Sequence, residues 1–120
     1  MKIIYLLPPS EGKNTWGILW DESLYFNFQK PYTIAKNATE KDLKCQGSRY
    51  EQGIMLNTQI KQSEKLSAIE RYSGVMYKAI DYIGMDMTAQ EYFNKNFYIL
   101  SAMYGIVKAQ DMIGNYKLPI

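Results

Sequence analysis

The chain has 120 residues, 47% hydrophobic and 22% charged, a composition typical of one globular domain or part of one. Its 14 basic and 12 acidic residues give a formal net charge of +2, too small by itself to indicate nucleic-acid binding. Histidine is absent, which excludes Ser-His-Asp and Cys-His catalysis and histidine-based zinc sites.

The single Cys45 excludes an internal disulfide, and we expect no metal site and no cofactor. The apolar run at the start stops at Pro8, so it does not have the pattern of a cleaved leader. No stretch of about 18 apolar residues is present to span a bilayer. We therefore expect a cytoplasmic protein without a membrane partner.

The first half of the chain predicts one strand, a loop and partly helical segments. Residues 2–7 form an apolar run before Pro8 and predict a short buried strand. Residues 14–33 carry aromatic side chains without a period, which predicts an ordered loop pinned by Trp16, Trp20, Tyr25, Phe26, Phe28 and Tyr32. Thr39 is a candidate cap for a short helix ending near Gly47, and residues 48–72 are predicted to be helical in part.

The second half predicts two helices and a second strand. Met76, Ile80 and Ile83 lie at i, i+4 and i+7, the spacing of an amphipathic helix, and Gly84 would end it. Thr88 and Glu91 form a capping-box pattern for the next helix, with Tyr92 and Phe93 inside it. Residues 97–103 predict another buried strand, and residues 108–120 are rich in turn residues.

These elements favour an α/β or α+β fold. We expect a mixed sheet with short buried strands at 2–7 and 97–103 and several helices between them.

The opening loop, residues 8–14, raises the possibility of an anion site. Strand, tight loop and Lys13 suggest a phosphate-binding loop, but Leu7 and Asn14 occupy the Gly and Ser/Thr positions of G-x-x-x-x-G-K-[ST]. A nucleotide-hydrolysing loop is therefore not expected. Lys13 near backbone amides could still meet a phosphate. The alternative is that Pro8 and Pro9 only end the strand, and Glu11 pairs with Lys13 in solvent.

A second cluster runs from Arg71 to Lys78 around Gly74. A glycine between two helical segments lets backbone amides approach a DNA phosphate, and the flanking cations could neutralise it. A plain connection with Tyr72 and Tyr77 packed in the core explains the same pattern equally well.

A third cluster begins with Ser101, Tyr104 and Gly105 and continues to Asp111, Tyr116 and Lys117. It predicts a strand that ends beside a cleft, or simply a strand end. If this turn and the opening loop share a pocket, Glu11 as general base, Lys13 as electrophilic aid and Tyr104 are weak catalytic candidates, and Ser10 would line the pocket. The substrate would be a nucleobase or nucleotide.

Three segments together, LLPPSEGK, RYSGVMYKAID and ILSAMYGIVKAQDMIGNYKL, resemble the YaaA peroxide-stress protein family in order and spacing. The resemblance implies an intracellular role in surviving hydrogen peroxide, associated with limiting free iron and protecting DNA. It also implies DNA binding through a positively charged cleft and a helix–hairpin–helix-like element. The residues that match by position are Pro9, Ser10, Glu11, Gly12, Lys13, Tyr72, Gly74, Tyr77, Ser101, Tyr104, Gly105, Asp111 and Tyr116.

The chain departs from the family pattern in two ways. Lys108-Ala109 and Lys117 stand where the family often has arginine, and lysine lacks the planar fork that holds phosphate bidentately. Family members are also roughly twice as long. We therefore expect residues 1–120 to be the N-terminal portion of a single YaaA-like domain, truncated or split, with the C-terminal half absent.

The leading hypothesis is a DNA-binding protein of the peroxide-stress response that is not an enzyme. Its expected partners are duplex DNA and a second chain that carries the missing half. The alternatives are the enzyme described above and an inactive fragment of a split gene. The expected DNA- or anion-binding residues are Ser10, Gly12, Lys13, Arg71, Tyr72, Gly74, Lys78, Tyr104, Gly105, Lys108 and Lys117.

Overall fold

The structure, a computed structural model, describes residues 2–20 and 28–119. Within these ranges the chain forms six α-helices, five short strands and a 3-10 turn at Tyr82–Gly84. The helices are α1 (Gln29–Lys36), α2 (Glu40–Leu43), α3 (Ser48–Gln59), α4 (Ala68–Arg71), α5 (Val75–Ile80) and α6 (Met87–Asn96). The strands are β1 (Tyr5–Leu7), β2 (Lys65–Ser67), β3 (Phe97–Ser101), β4 (Gly105–Lys108) and β5 (Met112–Gly114).

A mixed three-stranded sheet has the order β1-β3-β4. β1 runs parallel to β3, with Tyr5 opposite Phe97, and β3 pairs antiparallel with β4, with Ser101 opposite Gly105. A second, antiparallel pair joins β2 to β5. The predicted combination of helices and a mixed sheet is confirmed. The sheet is mixed because β4 follows β3 directly and pairs with it antiparallel, whereas a long crossover connects β1 to β3 and makes that pair parallel.

The two predicted strands exist, but both are shorter than expected and the first is not buried. Only Tyr5–Leu7 pairs in β1, and Leu6 is 55% exposed. Ile3 and Ile4 are also more than half exposed. β1 is an edge strand of its sheet. An apolar sequence favours burial, but burial also needs a neighbouring surface, and the sequence of the strand does not show whether one is present. β3 is the more buried strand, with Ile99 fully enclosed.

The predicted aromatic loop at 14–33 is partly wrong, because α1 begins at Gln29. Pro31 is compatible with this helix since it lies in the first turn, where a backbone N–H has no intrahelical partner. Phe28 is buried, as expected of a pinning side chain, whereas Trp16 and Trp20 are largely exposed. Tyr25 and Phe26 lie outside the described residues.

Thr39 caps α2 as predicted. Its hydroxyl accepts a hydrogen bond from the Asp42 N–H at 3.1 Å, and the Asp42 carboxylate accepts one from the Thr39 N–H at 3.0 Å. This reciprocal pair satisfies two donors that the first turn leaves free. The helix ends at Leu43 because Lys44 adopts a left-handed φ of 56°.

The predicted cap of α6 at Thr88 is wrong. The helix begins at Met87, and the Asp86 carboxylate accepts a hydrogen bond from the Ala89 N–H at 2.8 Å. Aspartate is as good a cap as threonine, so the local sequence offered two competing starts. The helix predicted from Met76 to Ile83 divides instead into α5 and the 3-10 turn, because Asp81 has a left-handed φ of 47°.

Buried tyrosines form much of the core between the sheets and helices. Tyr72, Tyr77, Tyr104 and Tyr116 are each less than 10% exposed, and they pack with apolar residues such as Ile99. None of the helices in the described residues combines the length and apolar character needed to cross a membrane.

Candidate functional site

The opening loop pairs with the turn that follows α4. Lys13 forms an antiparallel bridge with Tyr72, the Asn14 N–H donates to the Arg71 carbonyl at 2.8 Å, and the Ser73 N–H donates to the Gly12 carbonyl at 3.0 Å. The first two sequence clusters, 58 positions apart between Lys13 and Arg71, are thus joined through their main chains.

Gly74 ends this turn and precedes α5. Its φ of +122° lies in a region that side chains other than glycine rarely adopt. A Cβ built there would lie 3.7 Å from the Ser10 Cβ, so the opening loop and the Gly74 turn are in van der Waals proximity. Tyr72 and Tyr77 are buried, and the Tyr77 hydroxyl donates to the Pro8 carbonyl at 2.7 Å. The alternative interpretation, a helix connection with both tyrosines in the core, describes their packing correctly.

The third cluster joins the first two through buried hydroxyls. The Tyr116 hydroxyl lies 2.6 Å from that of Tyr72 and 3.0 Å from that of Ser101. Burial raises the pKa of Tyr72, Tyr77 and Tyr116 above that of a free phenol. These phenols are neutral at physiological pH, and the rings of Tyr72 and Tyr116 lie beneath the Lys13 amine.

A cavity of about 270 Å³ opens between the opening loop, the end of α2 and residues 116–119. We call it the opening-loop cavity. Among the residues that the structure describes, three lysines and one glutamate line it, so the charge of this lining is predominantly positive. The lining residues are Pro9, Ser10, Glu11, Lys13, Leu43, Lys44, Tyr116, Lys117, Leu118 and Pro119.

Lys13 is the most perturbed cation of this cavity. Its Nζ lies 4.5 Å from the centre of the Tyr116 ring and donates a hydrogen bond to the Glu11 carbonyl at 3.1 Å. Burial, reinforced by the positive charge of Lys117, lowers the pKa of Lys13 to about 8. The neutral amine of Lys13 is therefore more accessible near neutral pH than that of an unperturbed lysine.

Glu11 does not pair with the Lys13 ammonium in solvent, as one interpretation of the sequence expected. Its carboxylate accepts a hydrogen bond from the Lys117 Nζ at 3.1 Å, and Arg49 Nη2 lies 3.9 Å away. The hydrogen bond from Lys117 and its charge lower the pKa of Glu11. This carboxylate is 76% exposed and ionised, and so it is a weak proton acceptor.

Arg71 is buried, so its guanidinium is not placed to contact a phosphate at the surface. It is 1% exposed, and its guanidinium donates to the carbonyls of Asn14 at 2.7 Å and Trp16 at 2.9 Å. Further hydrogen bonds reach the Ile113 carbonyl at 3.3 and 3.4 Å. In this position Arg71 ties the opening loop to β5 and presents no charge to the surface.

The remaining predicted residues lie apart from the opening-loop cavity. Tyr104 is buried, with its ring 4.8 Å from that of Phe28, and its hydroxyl accepts from the Gly114 N–H at 3.0 Å. Gly105 and Lys108 are exposed on β4, and Lys78 is exposed on α5. The structure therefore brings the opening loop and the Gly74 turn together, while the Gly105 bend is not part of the cavity lining.

Sequence reasoning missed two residues that shape the site. Lys44 contributes a third cation to the cavity from the end of α2. Asn57 is fully buried on α3; its amide donates to the Lys117 carbonyl at 2.8 Å and accepts from the Lys117 N–H at 2.8 Å. Asn57 thereby positions Lys117. The one available signal was a polar side chain within a helix, which is too common to identify a site.

Within residues 2–20 and 28–119, there is no group of three or more acidic or cysteine side chains that could hold a metal ion.

Comparison with known sequences identifies the class. The sequence profile of the family described as peroxide stress protein YaaA matches residues 3–120, so the chain belongs to this family. An uncharacterized protein of Campylobacter jejuni is 30% identical in an alignment 131 positions long, which covers 98% of this chain and 52% of that protein. A UPF0246 protein of Finegoldia magna is 32% identical over 75 residues, covering 62% of this chain and 31% of that protein. The chain thus spans about half the length of the Campylobacter relative.

Proposed function

We propose that this member of the YaaA peroxide-stress family binds duplex DNA, with the opening-loop cavity receiving backbone phosphate. The observation that carries the proposal is the excess of cations at the cavity, where Lys13, Lys44 and Lys117 accompany one glutamate. Phosphate contacts of this kind carry no sequence information, so binding would be largely independent of DNA sequence.

Two exposed lysines outside the cavity extend the proposed interface. Lys78 is exposed on α5 directly after the Gly74 turn, and Lys108 is exposed on β4. Each would add a phosphate contact if the duplex reaches that far. Arg71 is left out of the proposed contact set, because its guanidinium is buried and bonded to main-chain carbonyls.

The biological role we propose is protection of DNA during peroxide stress, together with the limitation of free iron that the family resemblance implies. Occupied DNA would be less accessible to reactive species formed at iron. A cytoplasmic location is part of the same proposal.

Fluorescence anisotropy with a labelled duplex tests the interface, and α2 offers a matched pair of variants. Lys44→Gln removes a cavity charge, whereas Lys41→Gln removes one from the same helix outside the cavity. We expect Lys44→Gln to weaken binding about fivefold near 0.1 M salt, the order of one lost phosphate contact, and Lys41→Gln to have a much smaller effect. Equal losses in the two variants would show that binding does not use the cavity.

The enzyme alternative keeps only one of its candidate residues. Tyr104 is buried outside the cavity lining, and Glu11 is an exposed, ion-paired carboxylate. Lys13 remains, because it lines the cavity and its pKa of about 8 lies closer to neutral pH than that of an ordinary lysine.

A further inference from the structure

The environment of Lys13 is unusual for a lysine that only neutralises phosphate. A phosphate-binding ammonium gains from full hydration or from several acceptors, but the Lys13 Nζ has one carbonyl acceptor, that of Glu11, at 3.1 Å. Its other neighbours are the faces of Tyr116 at 4.5 Å and Tyr72 at 5.7 Å. The Glu11 carboxylate, which could have held the ammonium, is paired with Lys117.

The burial of this amine favours its neutral form, against the attraction of the two ring faces and of the Glu11 charge for the ammonium. Burial and the nearby charge of Lys117 both favour loss of the proton, and they bring the pKa of Lys13 to about 8. Lysines desolvated beside a second cation are the ones that react with carbonyl compounds. The cavity supplies the access that such a reaction needs, because Lys13 forms part of its lining.

We propose that Lys13 forms an imine with the open-chain aldehyde of a sugar that carries a phosphate. The lone pair of Nζ attacks the aldehyde carbon, and the carbonyl oxygen leaves as water with both amine protons. A carbon–nitrogen double bond remains, so no oxidant or reductant is needed. The proposal rests on the anion-binding cavity of the proposed function and assigns it a substrate class.

Size and charge define this substrate class. A volume of about 270 Å³ lies just under the range of ~300–1,000 Å³ typical of ligand pockets, which favours a ligand as small as a pentose phosphate. Lys44 and Lys117 also line the cavity and could receive the phosphate while Lys13 meets the aldehyde. The same chemistry occurs in two sources, the abasic deoxyribose of damaged DNA and a free sugar phosphate.

Reductive trapping tests the proposal with two probes. The protein is incubated with sodium borohydride and either a labelled duplex containing one abasic site or 2-deoxyribose 5-phosphate, and the adduct is located by peptide mass spectrometry. We expect the adduct on Lys13, with labelling of the exposed Lys41 at least about tenfold lower, because Lys41 lies outside the cavity and lacks the burial that activates Lys13. Lys13→Arg keeps the charge and should abolish the Lys13-dependent adduct, with unfolding curves confirming that the variant folds.

The outcomes separate this inference from the proposed function. Trapping of the abasic duplex identifies damaged DNA as the source, and trapping of the sugar phosphate alone identifies a free aldehyde; both support imine formation at Lys13. An intact duplex that binds in anisotropy, while neither probe labels Lys13 above Lys41, overturns the inference and leaves DNA binding standing. Absence of duplex binding together with Lys13 labelling by the sugar phosphate overturns DNA binding only.

Discussion

Lys13 and Arg71 lie close together in the fold, but Arg71 is fully buried whereas Lys13 is partly buried and lines the cavity. Arg71 satisfies its guanidinium with main-chain carbonyls of three segments, the third at Glu64, whereas Lys13 has one carbonyl and two aromatic faces. Arginine can meet several carbonyls at once because its donors form a planar fork. At this scale, one cation has a structural role and the other is available for binding.

The first prediction concerns Arg71. We expect Arg71→Lys to lower the free energy of unfolding by about 2–4 kcal/mol, because lysine cannot reach the carbonyls of Asn14 and Ile113 together. Urea denaturation of the purified chain measures this. Arg49→Lys is the control, since the Arg49 side chain is 74% exposed, and it should change stability by less than about 0.5 kcal/mol. Equal effects of the two variants would contradict the structural role.

The second prediction concerns the pH dependence of stability at Lys13. The pKa of Lys13 falls from 10.5 to about 8 on folding, so the unfolded chain binds more protons between these values. Stability from this group therefore increases as pH rises through that interval. We expect Lys13→Met to be the more stable protein at pH 7, by about 1–3 kcal/mol, with this advantage shrinking toward pH 10. A difference between the two proteins that does not vary with pH would show that Lys13 titrates normally.

At the scale of elements, the sequence predicted the features that depend on contacts between residues close in the chain. The cap at Thr39 could be read from the sequence because its partner Asp42 is three residues away. β4 and β5 were missed, since each is four residues or fewer and exists only through pairing with β3 and β2. The same distinction applies to the site: the motifs around Lys13 and Gly74 were identified, but Lys44 reaches the cavity only through the fold.

The third prediction decides which residue caps α6. Asp86→Ala should lower the free energy of unfolding by about 1 kcal/mol, because the Ala89 N–H loses its acceptor. Thr88→Ala, inside the first turn of the same helix, should change it by less than about 0.5 kcal/mol. Thermal or urea unfolding of both variants compares them directly, and the reverse order would restore the capping box predicted from the sequence.

At the scale of the whole molecule, an apolar surface surrounds β1. Ile3, Ile4 and Leu6 are each more than half exposed, on or beside an edge strand. Edge strands with apolar side chains tend to pair with other chains. The expectation that residues 1–120 form one portion of a longer YaaA-like domain stays a prediction, and it would account for a surface of this kind.

The fourth prediction is that the isolated chain self-associates through β1. Leu6→Lys should shift sedimentation profiles toward the monomer, because a charge at the edge opposes strand pairing. Met55→Lys is the matched control on α3, since Met55 is 59% exposed and Leu6 is 55% exposed. A wild-type chain that remains a monodisperse monomer with a sharp unfolding transition would exclude this surface as a site of association.

The central claim is that the opening-loop cavity and the lysines near it bind DNA phosphate, and the salt dependence of duplex affinity tests it most directly. Each neutralised phosphate contributes about −0.9 to the slope of log affinity against log salt. With three cavity lysines and two exposed lysines outside the cavity in the proposed interface, we expect a slope on the order of −2 to −4 for the wild-type chain. Lys44→Gln should make that slope about one unit shallower. An affinity that stays constant from low to moderate salt would contradict the account.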